Sequence, residues 1–395
     1  MDKSTKIIIA GAGIGGLTAA ACLLQEGYHV RVYEQAPKLG EIGAGIQTSA
    51  PAVKVLHHLG LAEKLAEVSV KPKSFEFRLF DSGEVLHKLP LAEAHEKQHG
   101  APYYHIHRSD IHKILADRVL ELDPDAVVLN STAVGFSEDK DSVTLNLADG
   151  REIRGDILVG ADGIKSAIRD QIVGVTEPDY SGQVAWRATV DVKKLPADFM
   201  DKIVAIWCGP KKHAVVYYLR SGKLLNFVGC VENSDWKEES WTVKASWDAL
   251  KADYAGWNKE IQTIIDNIDK DQCFLWALNN RKPVDNWRTD RAVIMGDAAH
   301  PTLPYMASGA VMAIEDGAVL MRSINANNDV AEALDMFQRN RLERTARIVT
   351  GSTEMGDLYH LSNREEFEKG FAKRNVAKER NEWLYAYDPL TVALV

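Results

Sequence analysis

The segment Lys6-Ile-Ile-Ile-Ala10 and the glycines that follow it, Gly11-Ala-Gly13-Ile-Gly15-Gly16, constrain the chain more than any other stretch. A short unbroken apolar run suits a strand buried on both faces of a parallel sheet. The glycines match GxGxxG. An Ala- and Leu-rich stretch from about Leu17 to Glu26 predicts a helix that stops at Gly27, and His29-Val-Arg-Val-Tyr33 predicts a second strand ending on Glu34. Gly11 permits the tight turn, Gly13 lets the backbone approach a pyrophosphate, and Gly16 lets the helix pack on the strand. The helix start offers free N–H groups and a positive dipole end to phosphates. Glu34 follows Gly11 by 23 residues, a spacing suited to a carboxylate on a ribose hydroxyl. A bare GxGxxG could be a glycine-rich turn with no ligand; the flanking strand, helix and acid predict a dinucleotide site. The Glu34 carboxylate would repel a 2'-phosphate, so FAD or NAD is expected there rather than NADP.

The chain has 395 residues, 46% of them hydrophobic, which predicts two closely packed domains. Its formal net charge of -9 and the absence of a long basic run disfavour nucleic acid or an anionic membrane as partner. Cys22, Cys208, Cys230 and Cys273 are scattered with no CxxC pair. No zinc or other metal site and no disulfide framework is expected, and a reducing, cytoplasmic setting fits. No apolar run approaches the ~18 residues of a membrane span, and the run before Gly11 is too short for a signal sequence.

Two later motifs resemble each other. In Asp156-Ile-Leu-Val-Gly160-Ala-Asp162-Gly163 a buried strand delivers an acid and a glycine into a turn, with a helix expected after it. In Arg291-Ala-Val-Ile-Met-Gly296-Asp297-Ala-Ala-His300-Pro301 a buried strand again ends in Gly-Asp. Pro301 and Pro304 keep the next segment extended, and a helix is predicted from near Ser308 through Met321.

GxGxxG, the Asp-Gly stretch and the Gly-Asp stretch, in this order, resemble the single-component FAD-dependent aromatic hydroxylases over essentially the whole chain. The salicylate and 3-hydroxybenzoate hydroxylases and the 6-hydroxynicotinate 3-monooxygenases are the branch it looks most like. Local stretches support this: Tyr33-Glu34-Gln35-Ala36, Gly43-Ala44-Gly45-Ile46, His107-Arg108-Ser-Asp110, Ala313-Ile314-Glu315-Asp316 and Tyr359-His360-Leu361. The resemblance implies an α/β fold like that of para-hydroxybenzoate hydroxylase, a Rossmann-like FAD-binding domain with a second, sheet-rich substrate domain. It implies that FAD stays bound while NADH or NADPH visits, which suits a chain with one GxGxxG. It further implies that dioxygen is the co-substrate, that a flavin hydroperoxide delivers oxygen to a small hydroxylated aromatic or pyridine carboxylic acid, and, by analogy, a homodimer. Asp297 and Arg108 would contact FAD, Gln35 would join Glu34 at the nucleotide, Asp162 would serve both FAD and the transient nicotinamide, and Gly309, Ala310 and Val311 would face the flavin pyrimidine edge. Asp162 read alone is a turn acid capping the next helix, and Arg108 a surface ion pair.

The FAD domain is expected in three pieces, residues 1–70, 100–175 and 285–350. Residues 71–99 and 176–284 form the substrate domain, and 351–395 a C-terminal helix and tail. Four β-branched and aromatic runs within 183–228 predict strands. A sheet over the FAD domain would close a pocket at the junction. His213 and Tyr217 are the candidate catalytic pair. They fall four apart on a strand-like segment, and alternation puts them on one face. A histidine can act as base near neutral pH, and a tyrosine can orient a phenolate or carboxylate. Without that pocket, His213 would be an exposed loop residue and Tyr217 plain core.

Gln47 should lie near the flavin ring. The 6-hydroxynicotinate enzymes carry histidine at Gln47 and Tyr305 and cysteine at Val204, so these positions weaken that substrate reading, and Gln47 suits a hydroxybenzoate-type enzyme at least as well. Ser308 and Ala52 also depart from the usual Gln and Asn. His300 reads as structural, and no arginine presents itself for a substrate carboxylate. Rival readings are a flavin oxidase or dehydrogenase without oxygen insertion, and a non-catalytic flavoprotein. The Trp-x-Trp-x-Ile motif of flavin halogenases is absent.

Overall fold

The strand before the glycines sits at the centre of a five-stranded parallel sheet ordered Ala292–Ile294, Ile157–Gly160, Lys6–Ala10, His29–Tyr33 and Val127–Val128. The structure is a computed structural model that describes residues 1–40, 43, 45–233, 244–361 and 363–395; Ala44 of the Gly43–Ile46 stretch lies outside them. Ile7, Ile8 and Ile9 are buried, as expected of a strand covered by helices on both faces. The first helix runs Ile14–Gln25, three residues earlier than its composition suggests, with Gly13 as N-cap. Gly11, at φ +100°, completes the reversal early, so Gly15 and Gly16 already belong to the helix. The helix packs against Arg108–Leu122 and Gly309–Ala326.

A second sheet has seven strands, ordered Phe274–Asn280, Asp179–Asp191, Leu224–Glu232, Lys212–Leu219, Val204–Gly209, Ser74–Leu79 and Val85–Pro90. The strand pair expected between 71 and 99 therefore joins this sheet, Ser74–Leu79 running parallel to Val204–Gly209. One face packs Val184, Trp186, Ala205, Trp207, Val216 and Phe227 into a core closed by helices Trp247–Asp253 and Lys259–Asp266. The alternate residues, among them Ala185, Ile206, Cys208, Val228 and Cys230, belong to a second core with Met306, Ile348 and Tyr359. A three-stranded antiparallel unit spans Ala133–Gly155, and Gly45–Thr48 pairs with Tyr104–His107.

The boundary expected at 350 falls inside one helix, Val330–Tyr359. Gly351 does not break it. That glycine is buried where a side chain would meet Met306 and Arg374, so a missing side chain serves packing there. The charged stretch 364–380 contributes to the core as well as to the surface: Phe367 and Phe371 are buried, and Arg380 is fully buried, stacked 4.4 Å from the Phe75 ring centre and bonded to the Tyr385 hydroxyl at 2.8 Å.

Helices Gly309–Ala326 and Val330–Tyr359 are joined by a buried ion cluster. Arg341 binds Glu315 and Asp316 at 2.7 Å each, and Arg344 binds Glu315 at 2.6 Å. Burial pushes the Asp316 carboxyl up, but His300 and Arg341 outweigh it and hold it at about 2. Such a cluster adds little net stability over an apolar core, while removing one partner strands a buried charge. All four cysteines are free and buried. Among the described residues no helix is long and apolar enough to cross a membrane.

Candidate active site

The carboxyl ends of four parallel strands open into one cavity of about 900 Å³, at the upper end of the usual ligand-pocket range. Gly11, Glu34, Asp162 and Asp297 border it, each from a turn leaving one of these strands. This is where open parallel sheets bind ligands. At two of its glycines the first turn tolerates no side chain. A Cβ on Gly11 would stand 2.4 Å from the Ala161 carbonyl oxygen, and one on Gly16 would stand 2.1 Å from that of Gly11. Ala12, Gly13, Ile14 and Gly15 border the cavity at the helix start, whereas Gly16 is the packing point behind them.

Glu34 accepts hydrogen bonds from the Ala12 and Ala36 backbone N–H groups at 2.7 and 2.8 Å. It thus braces the glycine turn while bordering the cavity beside Gln35. Asp162 combines its two expected readings. It borders the cavity, and it accepts from the Ser166 hydroxyl at 2.5 Å and from the Ile168 N–H at 3.4 Å at the start of helix Ala167–Val173. Burial raises its carboxyl above the ordinary range. Arg108, Gly309 and Ala310 border the same space. The Val311 side chain turns into the core, leaving its backbone in the helix's first turn. His300 is buried, pairs with Asp316 at 2.6 Å, and stands outside the cavity wall.

Alternation on the seven-stranded sheet builds the other wall. His213, Val215 and Tyr217 share one face of strand Lys212–Leu219, and all border the cavity. Register carries the row across four strands: Arg187 opposite Val228, Val228 opposite Val215, Val215 opposite Ile206. His213 is buried rather than looped out. Its Nδ1 lies 2.8 Å from His360 Nε2, and its Nε2 has no hydrogen-bond partner among the described residues. Burial, then the neighbouring His360, holds its pKa well below the ordinary histidine value. Burial raises the Tyr217 phenol, with Arg187 opposing.

Gln47 borders the cavity and accepts a 2.7 Å hydrogen bond from the Tyr103 hydroxyl. Tyr305 is on the wall too, its hydroxyl donating to Gln183. Val204 is buried beside Tyr217 but off the wall. Every predicted site residue except Gly16 and Val311 therefore borders one space.

Arg187 is what sequence reasoning missed. Its guanidinium sits 4.1 Å from the Trp276 ring centre on the same wall as His213, and burial lowers its pKa to about 10. The available signal was a lone cation between apolar residues in Val184-Ala-Trp-Arg-Ala-Thr-Val190. Its register to Val215 is a long-range fact no local pattern carries.

The sequence pattern of a family described as "FAD binding domain" matches residues 4–352. The chain is 37% identical to a 3-hydroxybenzoate 6-hydroxylase of Polaromonas naphthalenivorans (strain CJ2), over 97% of this chain and 96% of that one. It is 34% identical to a 6-hydroxynicotinate 3-monooxygenase of Pseudomonas fluorescens, over 88% of this chain and 90% of that one. Its fold matches the crystal structure of Klebsiella pneumoniae HpxO complexed with FAD and uric acid, with TM-score 0.84, 26% identity, and coverage of 98% of this chain and 97% of that one. These likenesses agree with the family, fold class and cofactor expected from the motifs.

Proposed function

The chain belongs to the FAD binding domain family, and from that membership we propose that it is an FAD-dependent monooxygenase. It takes electrons from NADH or NADPH and uses dioxygen to hydroxylate a small hydroxylated aromatic or pyridine carboxylic acid. One observation carries this reading: a single cavity joins the glycine-rich dinucleotide turn to Arg187, His213 and Tyr217. Residues 1–70, 100–175 and 285 through the end of helix Val330–Tyr359 form the cofactor side, and 71–99 and 176–284 the substrate side. Gly11, Gly13, Gly15, Glu34, Gln35, Arg108, Asp162, Asp297 and the helix start at Gly309, Ala310 and Val311 would hold FAD. Bound FAD supplies the redox chemistry that brings an oxygen atom from dioxygen to the ring.

The remaining work falls to this chain's own side chains. Arg187 binds the substrate carboxylate; its planar fork suits a carboxylate, and its stack on Trp276 fixes its direction. His213, neutral and with Nε2 unpartnered among the described residues, accepts the proton of the ring hydroxyl, and the resulting phenolate is the better nucleophile. Tyr217 orients that hydroxyl. Gln47 cannot serve as base and remains a hydrogen-bonding wall residue. Ile206, Val215, Val228 and Trp276 keep water from the reacting atoms.

The test is NADH and NADPH oxidation by the FAD-loaded protein across salicylate, 3- and 4-hydroxybenzoate and 6-hydroxynicotinate, with product analysis under labelled dioxygen. Stimulated oxidation with label in the product is the expected result. Stimulation without label would make the chain an oxidase or dehydrogenase instead.

A further inference from the structure

Behind His213 lies a line of polar groups that leads out of the cavity wall. His213 Nδ1 is 2.8 Å from His360 Nε2, and His360 Nδ1 is 3.0 Å from Glu232 Oε1. The His360 side chain is 5% exposed and the Glu232 side chain 43%. Three separate elements meet here: His213 on one strand, Glu232 at the end of its neighbour, and His360 capping the long helix Val330–Tyr359. Lys211 ties them together. Its N–H donates to the His360 carbonyl at 3.4 Å, and its carbonyl accepts from the Glu232 N–H at 3.0 Å. Lys211 does this at φ +61°, backbone strain that persists only where surrounding contacts impose it.

We propose that His360 and Glu232 form a proton relay that fixes the tautomer of His213 and carries its proton to solvent. The proposal rests on His213 acting as the base. An ionised carboxylate only accepts hydrogen bonds, so His360 Nδ1 carries its ring's proton. Neutral His360 then offers a lone pair at Nε2, and His213 must donate from Nδ1. The lone pair of His213 is left on Nε2, the atom without a partner among the described residues, on a ring that borders the cavity.

When Nε2 takes the proton of the substrate hydroxyl, the Nδ1 proton passes to His360 Nε2. The His360 Nδ1 proton passes to Glu232 Oε1 and on to bulk water. One proton enters and one leaves; both rings end neutral, and no electron moves. A return through the same atoms, or ring rotation, resets the tautomers.

The titratable groups around the line do not offer a shorter exit. Tyr305 and Tyr359 pack edge-on to His213 at 5.0 and 5.1 Å between ring centres. Cys208 and Cys230 flank it on the neighbouring strands. The phenols of Tyr305 and Tyr359 and the thiol of Cys230 are all pushed up by burial, as is that of Cys208. Around His360 stand Glu232 and Asp357, both favouring its charged form, with burial opposing them more strongly.

Nitrogen-15 NMR of labelled histidines in the FAD-loaded protein, without substrate, reads the tautomers directly. His213→Gln and His360→Gln assign the signals. Both rings should appear as the Nδ1–H form, and Glu232→Leu should convert them to mixtures while FAD content stays normal. An Nε2–H form at His213, or tautomers unmoved in Glu232→Leu, would overturn the relay. Turnover provides a second readout. His360→Gln and Glu232→Leu should slow hydroxylation on the order of ten-fold at neutral pH, with recovery as pH rises, and Glu232→Asp should restore most of the rate. If both variants keep the wild-type rate and pH profile while His213→Gln is slow, the relay fails and the base assignment stands. If His213→Gln is also fast, the base assignment itself fails.

Discussion

The ring of Tyr217 lies against the backbone of Gly45 so closely that a Cβ on Gly45 would stand 2.5 Å from Tyr217 Cε2 and 2.8 Å from its hydroxyl oxygen. Tyr217 is buried, and its open side is the cavity it borders. Gly45→Ala should therefore push the phenol into the cavity. Overpacking of this kind costs about 1–3 kcal/mol. A lowered melting temperature and a raised KM for the aromatic substrate are expected, with FAD content near normal. An unchanged KM would mean that Tyr217 does not position the ring.

Arg187→Gln should raise KM for a carboxylated substrate by roughly ten- to a hundred-fold, the worth of a hydrogen bond to a charged group. The carboxamide analogue of the same substrate should lose little. Arg187→Lys should not rescue, because an ammonium neither forks around a carboxylate nor stacks on Trp276 in the same way. Equal losses for acid and amide would place the carboxylate elsewhere.

His213→Ala should slow ring hydroxylation by about a hundred-fold or more while the protein remains fully yellow. Because the folded pKa of His213 is lowered, the ring stays neutral below the ordinary histidine range. The acid limb of kcat/KM should accordingly lie below pH 6.5 in the wild type and disappear in the variant. A wild-type rate of coupled turnover would remove His213 from the mechanism.

Asp297 borders the cavity from an exposed position in the turn Gly296–Ala298. Asp297→Ala should purify with little FAD and an unchanged fold by circular dichroism. A stoichiometric flavin spectrum would contradict the assignment.

Acid should weaken the fold well before most carboxylates titrate. Burial lowers His95 and His105 to about 3, and His213 is lowered too. Below pH 6.5 the unfolded chain protonates these rings and the folded chain does not. The unfolded state then binds more protons, so stability is lost as pH falls below 6.5, by up to about 1.4 kcal/mol per pH unit for each ring. Urea midpoints measured between pH 7 and pH 5 should show this slope, and His105→Gln should reduce it. A flat midpoint across that range would contradict the burial of these rings.

Much of the cofactor side was legible because its signals are local. Glycines, apolar runs and terminal acids follow one another within a few residues, and each strand hands its motif to the cavity directly. His213 and Tyr217 were legible because alternation put them on one face and the family resemblance matched both to pocket residues. Arg187 and the line through His360 were not, since each depends on register or on a helix end far away in the chain. His360 lies 147 residues from His213. Strand Phe274–Asn280 and the unit Ala133–Gly155 went unread, although their pairing completes two sheets. The boundary at 350 fell inside a helix that is held by distant contacts: Gly351 sits where Met306 and Arg374 crowd it.

The row Arg187, Val228, Val215 and Ile206 lines the cavity, while the residues between them along each strand, Trp186, Phe227, Ala214 and Ala205 among them, fill a separate core. Period-two alternation thus splits every one of these strands into two independent ledgers of selection. Mutations on one face can reshape the aromatic ring that fits, while the other face keeps the sheet assembled. A lineage carrying this sheet can drift from one substrate to another by single substitutions at 206, 215 or 228, without passing through an unfolded ancestor.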